Sequence, residues 1–245
     1  MTDELRRPRR RRRLSFVSVL GELLITAGAL VLLFIGWQQW FNDLVVANEY
    51  KNDAAQLSQQ FAQSASPAPD STASPADPPV GAKPADAQTF ANFYVPRFGA
   101  DYAVPIAGGT STVRTLNKIG IGHYDTTQMP GEVGNFGLAA HRTTYGAPFN
   151  KIADLQQGDK LYVQTAEGWY TYSFRNLQYV QATQVSVLQP VPDAPDVSTA
   201  SGERLITLTS CNPMFTAQER IVAYGVFDSW SAEVPAELAA AGIGV

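Results

Sequence analysis

The sequence predicts an all-β domain, a barrel or a sandwich, that follows an N-terminal helix crossing a membrane. Three observations support this prediction. The chain has an apolar stretch near its N-terminus, then a region rich in alanine, proline and serine, then a series of short apolar runs separated by turn residues. A length of 245 residues allows one domain of ordinary size with some additional segments.

The first segment is a basic tail, residues 1–13, which holds seven of the 18 lysines and arginines but only two of the 22 acidic residues. The rest of the chain therefore carries 11 basic and 20 acidic side chains and is clearly acidic. An acidic body argues against nucleic acid as the main partner, because phosphate binding needs a basic surface. The arginine run alone could be a nucleic-acid-binding arm, but the apolar stretch that follows favours a tail beside a membrane.

Residues 14–37 predict a transmembrane helix in which Glu22 is the only charged residue. A helix of this length covers about 36 Å, which exceeds a hydrocarbon core of about 30 Å. By the positive-inside rule, the N-terminus stays in the cytoplasm, the helix crosses the cell membrane once, and the rest of the chain is extracellular. A cleaved signal peptide is the alternative, although its apolar stretch is usually shorter and closely followed by small residues.

Two segments separate this helix from the β domain. Residues 38–61 keep a partial helical periodicity and are predicted to be a juxtamembrane helical segment. Residues 62–89 consist mainly of alanine, proline, serine and aspartate, and bury too little apolar surface to offset the entropy of ordering. They are therefore predicted to be a disordered linker.

The predicted β domain spans residues 90–230 and is followed by a C-terminal tail, 231–245. Its short apolar runs alternate with turn signals, as is typical of all-β folds. In the run 168–174, Tyr170, Tyr172 and Phe174 occupy every second position and should share one face of a strand. One short helix is predicted near 146–155, where apolar residues recur at helical spacing.

The chain has a single cysteine, Cys211, so it cannot form an intrachain disulfide. A lone thiol outside the cytoplasm either pairs with another chain or is kept as a reactive group, and a buried structural cysteine is the alternative. The apolar run 205–210 is a predicted strand that ends at this residue, because Asn212-Pro213 stops it.

Two other polar residues stand at the ends of predicted strands. His141 follows the run 136–140, and Arg220 opens the run 221–227. If the strands that end at Cys211 and begin at Arg220 are antiparallel neighbours, their side chains meet at one rim of the sheet. A thiol, an imidazole and a guanidinium at one rim indicate thiol acyl transfer, in which the imidazole moves protons and the guanidinium stabilises an oxyanion or holds the substrate.

Alternatives remain for each of these side chains. His141 could be an ordinary polar residue at a strand end, Arg220 could be a surface cation, and His123 is a second candidate for the base. Tyr124 could line a substrate groove or simply cover the barrel. Two histidines and one cysteine leave no convincing ligand set for a metal, so no metal and no cofactor are predicted.

Two blocks of sequence resemble the signature of the sortase family. The block 207–225, TLTSCNPMFTAQERIVAYG, is similar to the sortase strand that carries the nucleophile and is followed about nine residues later by an arginine. The block 120–142, GIGHYDTTQMPGEVGNFGLAAHR, resembles a pattern found in classes D and E, and the overlapping residues 137–163 are similar to the sortase histidine segment. The resemblance runs from about Tyr94 to Phe227, and the anchor, the linker and the HRTTYG and CNP sequences are most similar to class E.

The resemblance implies an eight-stranded sortase β-barrel with one or two short helices. It implies Cys211 as the nucleophile, His141 as the general acid and base, and Arg220 as the stabiliser of oxyanion or substrate. Residues predicted to contact the substrate are Tyr124, Thr209, Ala140 and Arg142. Ala140 and Ser210 depart from the family pattern, which usually has Gly before the histidine and Thr before the cysteine.

Sortases cleave a sorting motif near the C-terminus of a secreted protein between Thr and Gly, hold the acyl chain as a thioester, and pass it to an amine of a cell-wall precursor. The partners implied are secreted proteins with an LAXTG- or LPXTG-type motif, a peptidoglycan precursor, and the lipid bilayer through the N-terminal helix. The residues leave two alternatives open. One is a thiol hydrolase in which water takes the acyl group, and the other is a non-catalytic β domain that binds envelope partners.

Overall fold

The computed structural model describes residues 15–64, 77–194 and 202–243. The predicted basic tail, 1–13, and the central part of the predicted linker, 65–76, lie outside the described residues. The chain divides into two compact units, one up to Phe41 and one from Asn42 onwards.

Helix α1 spans Phe16–Ser64. Within the described part of the chain, it is the one helix that is long and apolar enough to cross a membrane. Its apolar side chains between 16 and 37 are largely exposed, which fits a helix whose surroundings are lipid rather than protein. The predicted helical segment 38–61 is the continuation of this same helix.

Eight strands form one closed barrel, which confirms the predicted fold class. The strands are β1 Thr89–Tyr94, β2 Ala103–Gly108, β3 Ile121–His123, β4 Gly134–Ala140, β5 Lys160–Thr165, β6 Gly168–Gln181, β7 Arg204–Asn212 and β8 Glu219–Ser231. Around the barrel they follow the order β1-β2-β3-β4-β7-β8-β6-β5. Between and after them lie 3-10 helices at Pro96–Phe98, Ile152–Asp154 and Val185–Leu188, a π-helical turn at Thr112–Leu116, and helix α2 at Ala236–Ala240.

The parallel pair β4–β7 decides which residues meet at the rim. Gly134 pairs with Arg204 and Ala139 pairs with Thr209, so both strands run to the same end of the barrel. Strand β8 pairs with β7 in the antiparallel direction and therefore begins at that end. The antiparallel neighbourhood predicted for the strands at Cys211 and Arg220 is confirmed.

The barrel interior is a continuous apolar core. Tyr170, Tyr172 and Phe174 all point into it, which confirms the alternation predicted for the run 168–174. A second cluster forms outside the barrel, where Leu238 of α2 packs with Tyr94, Tyr162 and Trp169. Part of the C-terminal tail is therefore packed against the wall of the barrel.

The prediction of a helix near 146–155 is wrong except near the end of this segment, where Ile152–Asp154 form a 3-10 helix. Tyr145, Gly146 and Ala147 have φ angles of 53°, 73° and 44°. A left-handed backbone of this kind cannot continue into a right-handed helix. The apolar residues of the segment are still buried, because the turns direct them into the core.

The predicted linker, 62–89, is shorter than expected at both ends. Residues 62–64 belong to α1, and residues 77–88 lie along the barrel. There, the hydroxyl of Tyr170 donates to the backbone oxygen of Pro79 at 2.7 Å, and Asp86 forms a bridge to Gly108. Composition misses these contacts because they use backbone and polar groups rather than apolar side chains.

The second half of α1 packs on the barrel. Tyr50 and Ala54 are 2% and 0% exposed. The Asn92 amide donates to the backbone oxygen of Ala54 at 2.8 Å, and the Gln164 amide donates to the Ser58 hydroxyl at 2.9 Å. Residues 42–64 therefore contribute to the stability of the β domain.

Adjacent alanines on α1 provide a test of this packing. Ala54→Gln forces a longer polar side chain into a filled site and should lower the free energy of unfolding by about 1–3 kcal/mol. Ala55→Gln, at an exposed position, should change it by less than about 0.5 kcal/mol. Denaturant unfolding of the detergent-solubilised chain measures both values, and equal effects would contradict the packing.

Candidate active site

Cys211 lies near the end of β7 on the outer surface of the barrel. Ile206 and Leu208 point into the core. Because side chains alternate along a strand, Thr209 and Cys211 face outwards. The thiol is partly exposed, so a substrate approaching the rim can reach it.

His141 and Arg220 lie on either side of Cys211. Ala139 pairs with Thr209 in parallel register, so the residues two positions further along, His141 and Cys211, are level with each other. Arg220 is the direct cross-strand partner of Cys211. Neighbouring strands lie about 4.8 Å apart, so the structure brings the three backbones together at one rim.

The imidazole of His141 has two neighbours. Its Nε2 lies 2.7 Å from Oδ1 of Asn117, and its ring centroid lies 5.2 Å from that of Tyr145 at an interplanar angle of 31°. A hydrogen bond from Nε2–H to Asn117 leaves Nδ1 as the nitrogen that can accept a proton. Burial lowers the pKa of His141, so the imidazole is neutral at pH 7.

Asn117 was not predicted from the sequence. It caps the π-helical turn Thr112–Leu116, which lies 24 residues before the histidine in the chain. Nothing in the local pattern of residues indicates that this turn folds over the end of β4. Only the pairing of β2, β3 and β4 brings Asn117 to His141.

Arg220 is anchored to its own hairpin. Its Nη1 donates to the backbone oxygens of Ala217 and Glu219 at 3.0 and 2.9 Å. Among the described residues these bonds use one nitrogen of the guanidinium, and Nε and Nη2 stay available to a ligand. A fixed guanidinium beside a thiol is suited to stabilise negative charge that develops next to it.

Arg142 is buried, at 8% exposure, and contacts the strand of the nucleophile from within the protein. Its Nη1 donates to the backbone oxygen of Cys211 at 3.4 Å and to the side-chain oxygen of Asn212. Asn212 in turn donates to Glu219 at 3.1 Å. Because this arginine follows His141 directly, these contacts tie the histidine segment to the end of β7. The contact of Arg142 with a substrate stays a prediction.

Tyr124 and Thr209 form a pair on the outer face. The Tyr124 hydroxyl lies 2.9 Å from Oγ1 of Thr209, and Thr209 donates to the backbone oxygen of Leu138 at 3.2 Å. With the threonine proton used in that bond, Tyr124 is the donor to Thr209. Thr209 lies two residues from Cys211 on the same face of β7, and it is buried, at 5% exposure.

The Ala140 side chain lies in the core cluster, on the opposite face of β4 from His141. The backbone oxygen of Ala140 accepts a hydrogen bond from the Ser210 hydroxyl at 2.8 Å. Both residues that depart from the family pattern are therefore directed away from the outer surface. The Ala140 side chain faces the core, and the contact of this residue with a substrate stays a prediction.

His123 lies inside the protein, at 1% exposure, on strand β3 rather than in a loop. Its Nε2 lies 2.9 Å from the backbone oxygen of Gln128, and its ring contacts Phe136 with centroids 5.1 Å apart. An enclosed imidazole cannot exchange protons with a substrate, so His141 is the candidate base. No group of three or more potential metal ligands occurs among the described residues.

The family assignment rests on comparisons with known proteins. The sortase domain family matches residues 93–228, more than half of the chain. The chain belongs to the sortase family. Its site residues occupy the barrel rim within the matched region.

Two relatives are sortases SrtE1 and SrtE2 of Streptomyces coelicolor. SrtE1 is 36% identical over 84% of this chain, which spans only 55% of the length of SrtE1. SrtE2 is 32% identical over 85% of this chain and 81% of its own length. A crystal structure of S. coelicolor sortase E1 with a tripeptide in its active site is 34% identical, with a TM-score of 0.56 over 63% of this chain and 99% of that one. These relatives confirm the resemblance to class E.

The contact between Asn117 and His141 can be tested by titration. Asn117→Asp places a carboxylate beside Nε2 and should raise the pKa of His141, because the negative charge stabilises the imidazolium. Gln60→Glu adds the same charge at an exposed position of α1 and should leave this pKa unchanged. The chain has two histidines, so NMR titration of histidine-labelled protein resolves both. An unchanged pKa in Asn117→Asp would exclude the contact.

Proposed function

We propose that this protein is a membrane-anchored transpeptidase that cleaves a C-terminal LAXTG-type sorting motif between Thr and Gly. It holds the new carboxyl end as a thioester on Cys211 and transfers it to an amine of a peptidoglycan precursor. The observation that carries the proposal is the convergence of three strand ends, which places Cys211 between His141 and Arg220 at one partly exposed rim.

The first chemical step is attack on the scissile carbonyl. His141, neutral at pH 7, accepts the proton of the Cys211 thiol while the sulfur forms a bond to the carbonyl carbon. The carbonyl oxygen becomes an oxyanion, and the Arg220 guanidinium stabilises it. A histidine with a lowered pKa is a stronger acid once protonated, which suits it for the next step.

Collapse of the tetrahedral intermediate breaks the bond between Thr and Gly. The imidazolium of His141 gives its proton to the departing glycine amine, and the thioester remains. The acceptor amine then attacks the thioester carbon and loses a proton to His141. The amide bond forms, the thiolate leaves, and proton return restores the thiol and the neutral imidazole.

The environment of the site supports these roles. Arg142 holds the end of β7 against the histidine segment, so that nucleophile and base keep a fixed separation. The partly exposed Tyr124, held by its hydrogen bond to the buried Thr209, offers a surface for the peptide of the motif. Further along the same wall, Val187 and Leu188 of the β6–β7 segment pack against Val222.

The N-terminal helix supports a location at the cell membrane. The arginine-rich tail before the apolar stretch favours a cytoplasmic N-terminus, and with a single crossing the β domain would lie outside the cell. There the site meets secreted proteins that carry sorting motifs and precursors that carry free amines. The segments proposed are a basic tail, 1–13, a membrane anchor, 14–37, and a catalytic domain that includes the predicted strands 90–230, the part of α1 packed on the barrel and residues 77–88.

Peptide cleavage with and without an amine tests the reaction. The detergent-solubilised chain, incubated with a peptide containing LAXTG, should gain the mass of the acyl fragment on Cys211 and release the glycine fragment. An added amine should appear in the ligated product, and an LPXTG peptide should react more slowly. Cys211→Ala should give neither thioester nor product, which mass spectrometry detects directly.

Other outcomes of this experiment would identify the alternatives. A carboxylic acid product at saturating amine would indicate a hydrolase, in which water takes the acyl group. A thiol that forms no thioester and stays inert to methanethiosulfonate reagents would indicate a non-catalytic β domain.

Substitution of Arg220 tests oxyanion stabilisation. Arg220→Ala should lower kcat for cleavage by about 10²- to 10³-fold, as does loss of a single oxyanion donor in other enzymes. Arg220→Lys should recover only part of this loss, because an ammonium lacks the planar fork of the guanidinium. Arg175→Ala, at an exposed position of β6, is the control and should retain full activity. Full activity in Arg220→Ala would exclude the proposed role.

A further inference from the structure

The loop that follows His141 contains an unusual turn. Tyr145, Gly146 and Ala147 all lie in the left-handed region of φ. For a residue with a side chain this conformation costs about 1–2 kcal/mol. Two such residues beside a candidate catalytic group need support from their surroundings, since a strained turn persists only where neighbouring structure holds it.

Helix α1 supplies this support. The Tyr50 hydroxyl donates to the backbone oxygen of Tyr145 at 3.2 Å, and a carboxylate oxygen of Asp43 accepts from the backbone N–H of Gly146 at 3.2 Å. A Cβ at Gly146 would lie 2.9 Å from the Tyr50 ring and 3.1 Å from the backbone nitrogen of Ala47. The turn is thus bonded to the helix and pressed closely against it.

Tyr50 is well suited to this contact. Its side chain is 2% exposed and belongs to the core cluster of the barrel. Burial, together with nearby acidic residues, raises the pKa of Tyr50 to about 12. The hydroxyl therefore remains protonated and continues to donate across the physiological pH range.

On its other side, the turn contacts His141. The Tyr145 ring lies against the imidazole, with the centroids 5.2 Å apart. The backbone N–H of Phe149 donates to the backbone oxygen of His141 at 3.0 Å and closes the loop. A continuous set of contacts therefore leads from Asp43 and Tyr50, through the turn, to the imidazole.

We propose that the segment of α1 containing Asp43 and Tyr50 positions His141 for catalysis. Its contacts hold the left-handed turn so that the Tyr145 ring limits rotation of the imidazole. Tyr145, Tyr50 and Asp43 are positioning residues, since they act through His141. The inference rests on the proposed function of His141 as general acid and base, and it adds that the helix which carries the membrane anchor is part of the active-site structure.

Helix variants of the full-length protein test this inference. Asp43→Ala combined with Tyr50→Phe removes both hydrogen bonds to the turn and keeps the buried ring. It should lower kcat for LAXTG cleavage by about tenfold or more, because small displacements of a catalytic group are costly, and should leave KM within about twofold. Asp43→Asn keeps an acceptor oxygen and should retain wild-type kcat when Tyr50 is intact.

A matched control removes a different contact of the same helix. Ser58→Ala deletes the hydrogen bond from Gln164 and should leave kcat unchanged.

Tyr145→Ala and Tyr145→Phe give a second test of the inference. Because Tyr145 is 42% exposed, neither substitution should prevent folding. The phenylalanine variant keeps the ring and should retain kcat, whereas the alanine variant should lose activity as the helix variant does.

The NMR signal of His141 separates positioning from general loss of structure. Its ring resonances should shift in the helix variant and in Tyr145→Ala, whereas those of the enclosed His123 should not. Unchanged kcat, an effect on KM alone, or unshifted His141 resonances would each overturn the inference. If the wild-type protein cleaves no sorting peptide, the proposed function fails, and the His141 resonances still decide whether the helix positions the ring.

Discussion

The parallel pairing of β4 with β7 is the constraint on which the candidate site depends. Antiparallel neighbours would place the ends of these strands at opposite rims and separate His141 from Cys211 by the length of a strand. Parallel pairing instead brings both ends to the same rim, with Ala139 beside Thr209. The adjacent β8, running the other way, starts where β7 ends and completes the group with Arg220.

Much of the fold and the three central residues of the site could be predicted from the sequence, because their signals are local. Alternation along a strand is visible within seven residues, and Cys211 and Arg220 lie on strands joined by a short loop. Asn117 and Tyr50 gave no such signal. Asn117 contacts His141 across 24 residues, and Tyr50 contacts Tyr145 across 95, so each depends on strand pairings that a sequence pattern does not specify.

The boundaries of the domain were harder to predict for a related reason. Composition measures how much apolar surface a segment can bury, and residues 77–88 bury little. They nevertheless lie on the barrel, because Tyr170 and other groups bond to their backbone. The periodicity of residues 38–61 predicts a juxtamembrane helix but not its packing on the barrel, since few of the side chains of this segment face the barrel. Those few, notably Tyr50 and Ala54, are fully enclosed.

The separation of β4 from β7 along the chain has a consequence for folding. Between Ala139 and its partner Thr209 the chain contains β5, β6 and the segment that covers Val222. Contacts between residues so far apart form late, because the entropy of closing a long loop opposes them. A chain synthesised from its N-terminus would therefore carry His141 for some time without a thiol beside it. The candidate base and nucleophile would come together only once the barrel has closed.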